Sequence, residues 1–217
     1  ATQITSEFFA DDIDWLMDSL MLGVGVGFEP VRGPLSCFVP QGTFTYIIED
    51  SREAWTHSVR LLIEAFTIPG SKLPQFDYSQ IRLEGLPIKG FGGLSSGPEP
   101  LKKLHEQIKS YFNNYLNSNG LYDVVRLKTD VANAVGCCVV AGNVRRSAEL
   151  AIGDIRDQTF LELKNYELNP DRKIIGWMSN NTVKCFEDED FELLGEIAKR
   201  VTVRGEPGFS NLRNFPI

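Results

Sequence analysis

Two adjacent arginines, Arg145 and Arg146, stand on a short polar stretch between the apolar segment Val131 to Val140 and the apolar run Leu150-Ala151-Ile152. A guanidinium stays charged at every physiological pH and presents a planar fork of donors, so a pair of them on a tight loop suits a nucleotide phosphate or a base edge. The same pair suits solvent or surface carboxylates equally well. Gly142 and Asn143 ahead of them supply turn chemistry, since both tolerate positive φ, and Ser147 behind them adds a hydroxyl. A second set runs through Arg82, Lys89, Gly92, Gly93, Ser95 and Ser96 and closes on Gly97-Pro98. A glycine-rich approach to a proline-led helix is the composition of an anion cradle, because the first N–H groups of a helix have no partner inside it.

These loops need elements to hold them, and the hydrophobic spacing supplies helices alternating with strands. Ile13, Leu16, Met17, Leu20 and Met21 recur at helical spacing over Asp11 to Met21 and lead into a strand over Gly23 to Phe28. Gly23, Gly25 and Gly27 leave one face of that strand bare, open to a nucleotide or to a closely packed helix. A dinucleotide-dependent oxidoreductase requires a strand, then Gly-x-Gly-x-x-Gly, then a helix; here the helix comes first and position 28 is Phe. Thr43 to Ile48 reads as a short hairpin strand. Asp50-Ser51 opens the next helix, with Ser51 or Asp50 as N-cap and Trp55, Val59, Leu62, Ile63 and Phe66 on one face. Leu150 to Ile152 reads as a buried strand, and Asn169-Pro170-Asp171-Arg172 as a turn. Glu99, Glu106 and Glu187-Asp188-Glu189-Asp190 read as solvated helix-end charges, the last run ahead of a helix over Phe191 to Arg200.

Composition bounds the function classes. A chain of 217 residues, 42% hydrophobic and 24% charged, can bury a globular core. Its net charge of −7 argues against a general nucleic-acid or membrane-surface binder, so anions must be met by local donors. No apolar run approaches the ~20 residues of a bilayer span, and the first residues are acidic where a signal peptide is basic, which points to the cytoplasm. Cys37, Cys137, Cys138 and Cys185 make no Cys-x-x-Cys and no metal-ligand spacing. Cys137 and Cys138 read as small buried hydrophobes, whereas Cys37 and Cys185 lie in polar surroundings that suit exposure. His57 and His105 fall in amphipathic helical stretches and read as surface or half-buried residues.

Five stretches in order carry a resemblance: DIDWLMDSLMLGVGVGF at 12–28, LPIKGFGGLSSGPEPL at 86–101, GNVRRSAELAIGD at 142–154, IIGWMSNNTV at 174–183 and GEPG at 205–208. Together they resemble the adenosylcobalamin-dependent ribonucleoside-triphosphate reductases, the monomeric class II ribonucleotide reductases. The resemblance implies an α/β fold, half of a ten-stranded reductase barrel with flanking helices, as a single partial domain over 1–217 with an effector-site insertion at about 31–80. It implies that Arg82, Lys89, Gly92, Gly93, Ser95 and Ser96 belong to a first specificity loop. Gly142, Asn143, Arg145, Arg146 and Ser147 then form a second, lying between effector and substrate base. Asp50 stands near an effector ribose at the head of a helix that imitates the partner helix of dimeric relatives, or else it is only a helix cap.

The same resemblance places chemistry elsewhere. The family's thiyl-radical cysteine lies in Asn-Pro-Cys-x-Glu, and the only Asn-Pro here, Asn169-Pro170, continues Asp171-Arg172. The expectation is therefore an internal segment of a longer enzyme, inert by itself, with the redox cysteines and most of the cobalamin site outside it. Implied for the whole enzyme are a ribonucleoside triphosphate substrate, a deoxynucleotide effector, adenosylcobalamin and a thioredoxin-type reductant, working as a monomer without nucleic acid, membrane or metal ligand in this segment. A stand-alone nucleotide-binding regulatory module is the alternative.

Overall fold

The structure, a computed structural model, describes residues 1–88, 92–141 and 147–213. The chain opens with β1 (Thr2–Ile4), α1 (Phe9–Met21) and β2 (Val26–Pro30), followed by β3 (Thr43–Ile47), α2 (Arg52–Thr67) and β4 (Leu73–Asp77). Two long helices come next, α3 (Glu99–Asn117) and α4 (Val124–Val140), then β5 (Glu149–Asp154) and the short α5 (Gln158–Glu162). A 3-10 turn (Pro170–Ile174) leads to β6 (Ser179–Cys185), α6 (Asp188–Glu192), α7 (Leu194–Arg204) and β7 (Gly208–Asn211).

Five strands form one parallel sheet in the order β1-β2-β5-β6-β7. Its register aligns Phe28 with Ala151 and Ala151 with Asn181. Parallel neighbours need long crossovers, and helices supply them. α1 and α4 lie against the sheet, α2 packs on α1, and α3 packs on α4. The seam between these helices is aromatic, with Phe66 stacked on Phe112 at 4.8 Å between centroids and Phe9 tilted against Phe112 at 5.9 Å. β3 and β4 form a second, two-stranded sheet beside α2. Among the described residues no helix is long and apolar enough to cross a membrane.

Local chemistry explains the boundaries. Asp11 and Asp12 sit in the first turn of α1, where a carboxylate meets the positive helix end. Gly23 closes that helix at φ +85°, its N–H donating to the Leu20 carbonyl. The expected strand over Gly23 to Phe28 therefore begins only at Val26, because its first glycine is spent on the turn. Ser51 is the N-cap of α2, its Oγ accepting from Ala54 N at 3.1 Å. Asp123 caps α4 through Arg126 N at 3.0 Å.

Several expectations are corrected. Thr43 to Ile47 is not a hairpin strand: it pairs in parallel with β4, Thr45 opposite Gln75, and α2 is the crossover between them. Leu150 lies on the outward face of β5, since a period of two turns alternate residues out, and only Ala151 of the apolar run is fully buried. The acidic run is not uniformly solvated. Asp190 is buried and accepts from Phe186 N and Glu187 N in a capping box, and the expected single helix is split into α6 and α7. Cys185 is buried within β6, not exposed.

Candidate functional site

The C-terminal ends of α1 and α4, the N-terminal end of α2 and the glycine-rich loop converge on one cleft of about 320 Å³. Met21 contributes from α1, Trp55 and Arg52 from α2, Ile88, Leu94, Ser95 and Ser96 from the loop, and Cys138, Val139 and Ala141 from the end of α4. Asp50 and Arg82 face each other across its rim, with Arg82 Nε donating to Asp50 Oδ2 at 2.7 Å and Nη1 to the Pro87 carbonyl at 2.9 Å. Arg82 thereby ties the start of α2 to the loop. Concave sites of this size, apolar on the floor with a few polar groups at the rim, are the usual form of small-molecule pockets.

The loop is a compact hairpin. Ser95 N donates to the Leu86 carbonyl, Gly85 N to the Ser95 carbonyl and Ile88 N to the Gly93 carbonyl, while Ser95 Oγ accepts from Gly97 N at 3.0 Å. Gly92 and Gly93 take φ of +75° and +85°, a region closed to most side chains. Gly97 is also left-handed, and a β-carbon there would lie 3.0 Å from Glu84 N. On the far side of Leu94, Ser95 and Ser96 lies a second cleft of about 560 Å³, reaching Glu99, Lys103, Gln107 and Cys137. The strip Leu94–Ser96 and the residues Cys138 and Ala141 line both.

Of the twelve residues expected at a nucleotide site, the structure brings four, Asp50, Arg82, Ser95 and Ser96, onto the one cleft, with Gly92 and Gly93 in the turn of the same hairpin. Lys89, Gly142, Asn143, Arg145 and Arg146 lie outside the described residues. Ala141, the last described residue before that second loop, is on the cleft wall. Ser147 is turned inward, its hydroxyl donating to the Leu20 carbonyl at 2.5 Å. The two described cations that line this cleft are already matched, Arg82 with Asp50 and Arg52 with Asp18 and Glu53.

Comparison with known proteins bears on what this cleft belongs to. Residues 37–112 match the family described as B12-dependent ribonucleotide reductase, insertion domain, which takes in β3, α2, β4, the hairpin loop and most of α3. The chain is 42% identical over 206 residues to the adenosylcobalamin-dependent ribonucleoside-triphosphate reductase of Euglena gracilis, covering 93% of this chain and 27% of that protein. It is 34% identical over 240 residues to the enzyme of that name from Lactobacillus leichmannii, covering 91% and 31%. A crystal structure of a B12-dependent (class II) ribonucleotide reductase superposes with a TM-score of 0.77 at 28% identity, over 94% of this chain and 32% of that one. Over nearly its whole length the chain is similar to part of the B12-dependent ribonucleotide reductases. It spans between 27% and 31% of the length of these curated relatives.

The described residues also hold polar groups that the sequence pattern did not announce. Arg172, expected in a turn, is fully buried at the 3-10 turn beside α4. Its Nη1 lies 3.1 Å from Asp130 Oδ1, and its Nη2 donates to Asn133 Oδ1 at 2.8 Å. Asn133 Nδ2 donates in turn to Glu149 Oε2 at 2.8 Å, and Tyr122 OH to Asp130 Oδ2 at 2.6 Å. A buried chain thus runs along α4 to the first residue of β5, two positions after Ser147. Burial pushes the Glu149 carboxyl up to about 8, the Asn133 bond opposing the rise. The only sequence trace of this chain is the i, i+3 spacing of two polar residues, Asp130 and Asn133, within an apolar helix.

The thiols and imidazoles differ in burial: Cys138, Cys185 and His105 are buried, Cys37 and Cys137 are half-buried, and His57 is exposed. Burial pushes Cys37, Cys137 and Cys138 up to about 12, so all three stay protonated. His105, expected at the surface or half-buried, is fully buried, with Nε2 3.0 Å from Ser58 Oγ and Nδ1 2.8 Å from Tyr78 OH. His57 packs its ring against Tyr46 at 5.7 Å. Among the described residues no group of His, Cys, Asp and Glu is placed to hold a metal ion.

Proposed function

We propose that this chain is the effector-reading part of an adenosylcobalamin-dependent ribonucleoside-triphosphate reductase and that the cleft bounded by Asp50, Arg82, Ser95 and Ser96 binds a deoxynucleoside triphosphate. The observation that carries this reading is the joining of α2, inside the reductase insertion family, to the root of the arginine loop around one cleft. Base and sugar occupy the apolar floor formed by Trp55, Ile88, Leu94 and Val139, and Asp50 meets the ribose. Arg82 and Arg52 already have acidic partners, so the triphosphate charge falls to Lys89, Arg145 and Arg146. Asn143, Arg145 and Arg146 then contact bases or phosphates between effector and substrate, so that the two affinities are linked reciprocally.

For the whole enzyme the reading implies reduction of the ribose 2′ position by a thiyl radical on a cysteine outside this chain, with two further cysteines supplying electrons and a thioredoxin-type protein restoring them. Adenosylcobalamin supplies the radical initiation when bound. Among the described residues His105 is no free donor to that cofactor, both its nitrogens being engaged in the core, and the thiols of Cys37, Cys137 and Cys138 are protonated. Within the reductase the five-stranded sheet is half of a ten-stranded barrel, the segment at about 31–80 is the insertion that spares a monomer the partner helix, and the enzyme works in the cytoplasm.

The test is calorimetric titration of the chain with each of the four deoxynucleoside triphosphates. At least one binds, and Arg82→Ala and Asp50→Ala each weaken it by about tenfold, since a charged hydrogen bond contributes roughly 1.5–3 kcal/mol. Arg145→Ala with Arg146→Ala weakens it further and flattens the salt dependence. Binding of none of the four, or binding indifferent to Arg82 and to the arginine pair, overturns the assignment.

A further inference from the structure

The buried imidazole of His105 has an assignable tautomer. Ser58 Oγ lies 2.7 Å from the Trp55 carbonyl, and since a carbonyl only accepts, the serine proton lies on that bond. Ser58 therefore receives from His105, which puts the ring proton on Nε2 and leaves Nδ1 as an acceptor for Tyr78 OH. The result is a one-way chain: Tyr78 to His105, His105 to Ser58, Ser58 to the backbone of Trp55. It begins just after β4, crosses α3 and ends in the first turn of α2, where Trp55 and Ser51 line the cleft. Phe76 stacks on the imidazole at 4.0 Å and fixes its plane. Burial, with Lys109 adding to it, takes the ring down to about 3, so it stays neutral and the direction of the chain does not reverse.

We propose that His105 is a positioning residue for the cleft, holding the first turn of α2 and the Trp55 ring against the site through Ser58, with Tyr78 setting its tautomer. Cutting the chain at either end then has the same effect, because each cut frees the same turn. The proposal rests on the nucleotide reading above for its functional readout alone. The hydrogen bonds themselves are read without any ligand.

Three measurements on the full chain test it. With ¹⁵N-labelled histidine, the His105 signals show a protonated Nε2 and an unprotonated Nδ1; the opposite tautomer overturns the relay. In chain carrying 5-fluorotryptophan, Tyr78→Phe and Ser58→Ala both shift the ¹⁹F signal of Trp55 and leave those of Trp15 and Trp177 in place; an unmoved Trp55 overturns it. In deoxynucleotide titrations each substitution weakens binding by about threefold to tenfold, the range of one neutral hydrogen bond, and the double variant is no weaker than either single one. Fully additive losses mean two independent packing contacts and overturn the proposal. If the unaltered chain binds no deoxynucleotide, the functional reading falls while the two spectroscopic results still decide the relay.

Discussion

Glu149 and His105 are titratable groups held uncharged by burial, and they pull stability in opposite directions. A carboxyl raised from 4.5 to about 8 keeps a proton in the folded chain that the unfolded chain releases, so its contribution is complete below pH 4.5 and is lost as pH climbs toward 8. An imidazole lowered from 6.5 to about 3 does the reverse, since the unfolded chain takes up a proton the folded one refuses and stability falls as pH drops below 6.5. Each slope is about 1.4 kcal/mol per pH unit. Between pH 4.5 and 6.5 they offset one another, and above 6.5 Glu149 acts alone. Glu149→Gln keeps the acceptor for Asn133 and removes the proton. In urea titrations at pH 6.5 and pH 8, the unaltered chain loses about 2 kcal/mol between the two and the variant well under 1, if this carboxyl is the source. Equal losses in both assign the pH dependence to another group.

At the scale of elements, α4 combines an apolar exterior with a buried polar line, and it needs Gly136 to do so. A β-carbon at Gly136 would lie 2.4 Å from Glu149 Oε1 and 2.6 Å from the Met178 side chain, both held in the core. Helix propensity favours alanine there by up to about 1 kcal/mol, but overpacking costs about 1–3 kcal/mol and here also displaces a buried carboxyl. Gly136→Ala therefore destabilises the chain by a net 1–3 kcal/mol in denaturant unfolding, and a neutral or stabilised variant refutes the tight contact. What the sequence made legible follows the same division. Ser51 as N-cap, the apolar faces of α1 and α2, and the glycine-rich approach to α3 are local, because each depends on residues within a turn or two. The parallel pairing of Thr45 with Gln75 was not legible, since a strand carries no mark of a partner thirty residues on. Nor were the burials of Arg172, His105 and Asp190, for a polar residue is internal only when partners from distant segments meet it. At the cleft, Asp50 and Arg82 were each recognisable as site candidates, yet nothing in their spacing showed that they would pair with each other.

For the whole molecule the cleft is where the segment containing α2 and the hairpin meets the helices that cover the sheet, so a ligand there binds two parts of the chain at once. At a hundred times its Kd such a ligand adds about 2.7 kcal/mol to stability, which raises Tm by roughly 5–11 °C in a domain of this size. A thermal scan with the tightest deoxynucleotide reads this directly, and Arg82→Ala, by weakening binding about tenfold, removes about half of the rise. A rise unchanged by Arg82→Ala locates binding elsewhere. The strip Leu94–Ser96 has a further consequence. It is a party wall shared by two open clefts of about 320 and 560 Å³, and a displacement of that strip narrows one cleft as it widens the other. Space gained on the side of Asp50 is taken from the side of Lys103 and Cys137, so whatever fills one cleft sets the clearance left in the other.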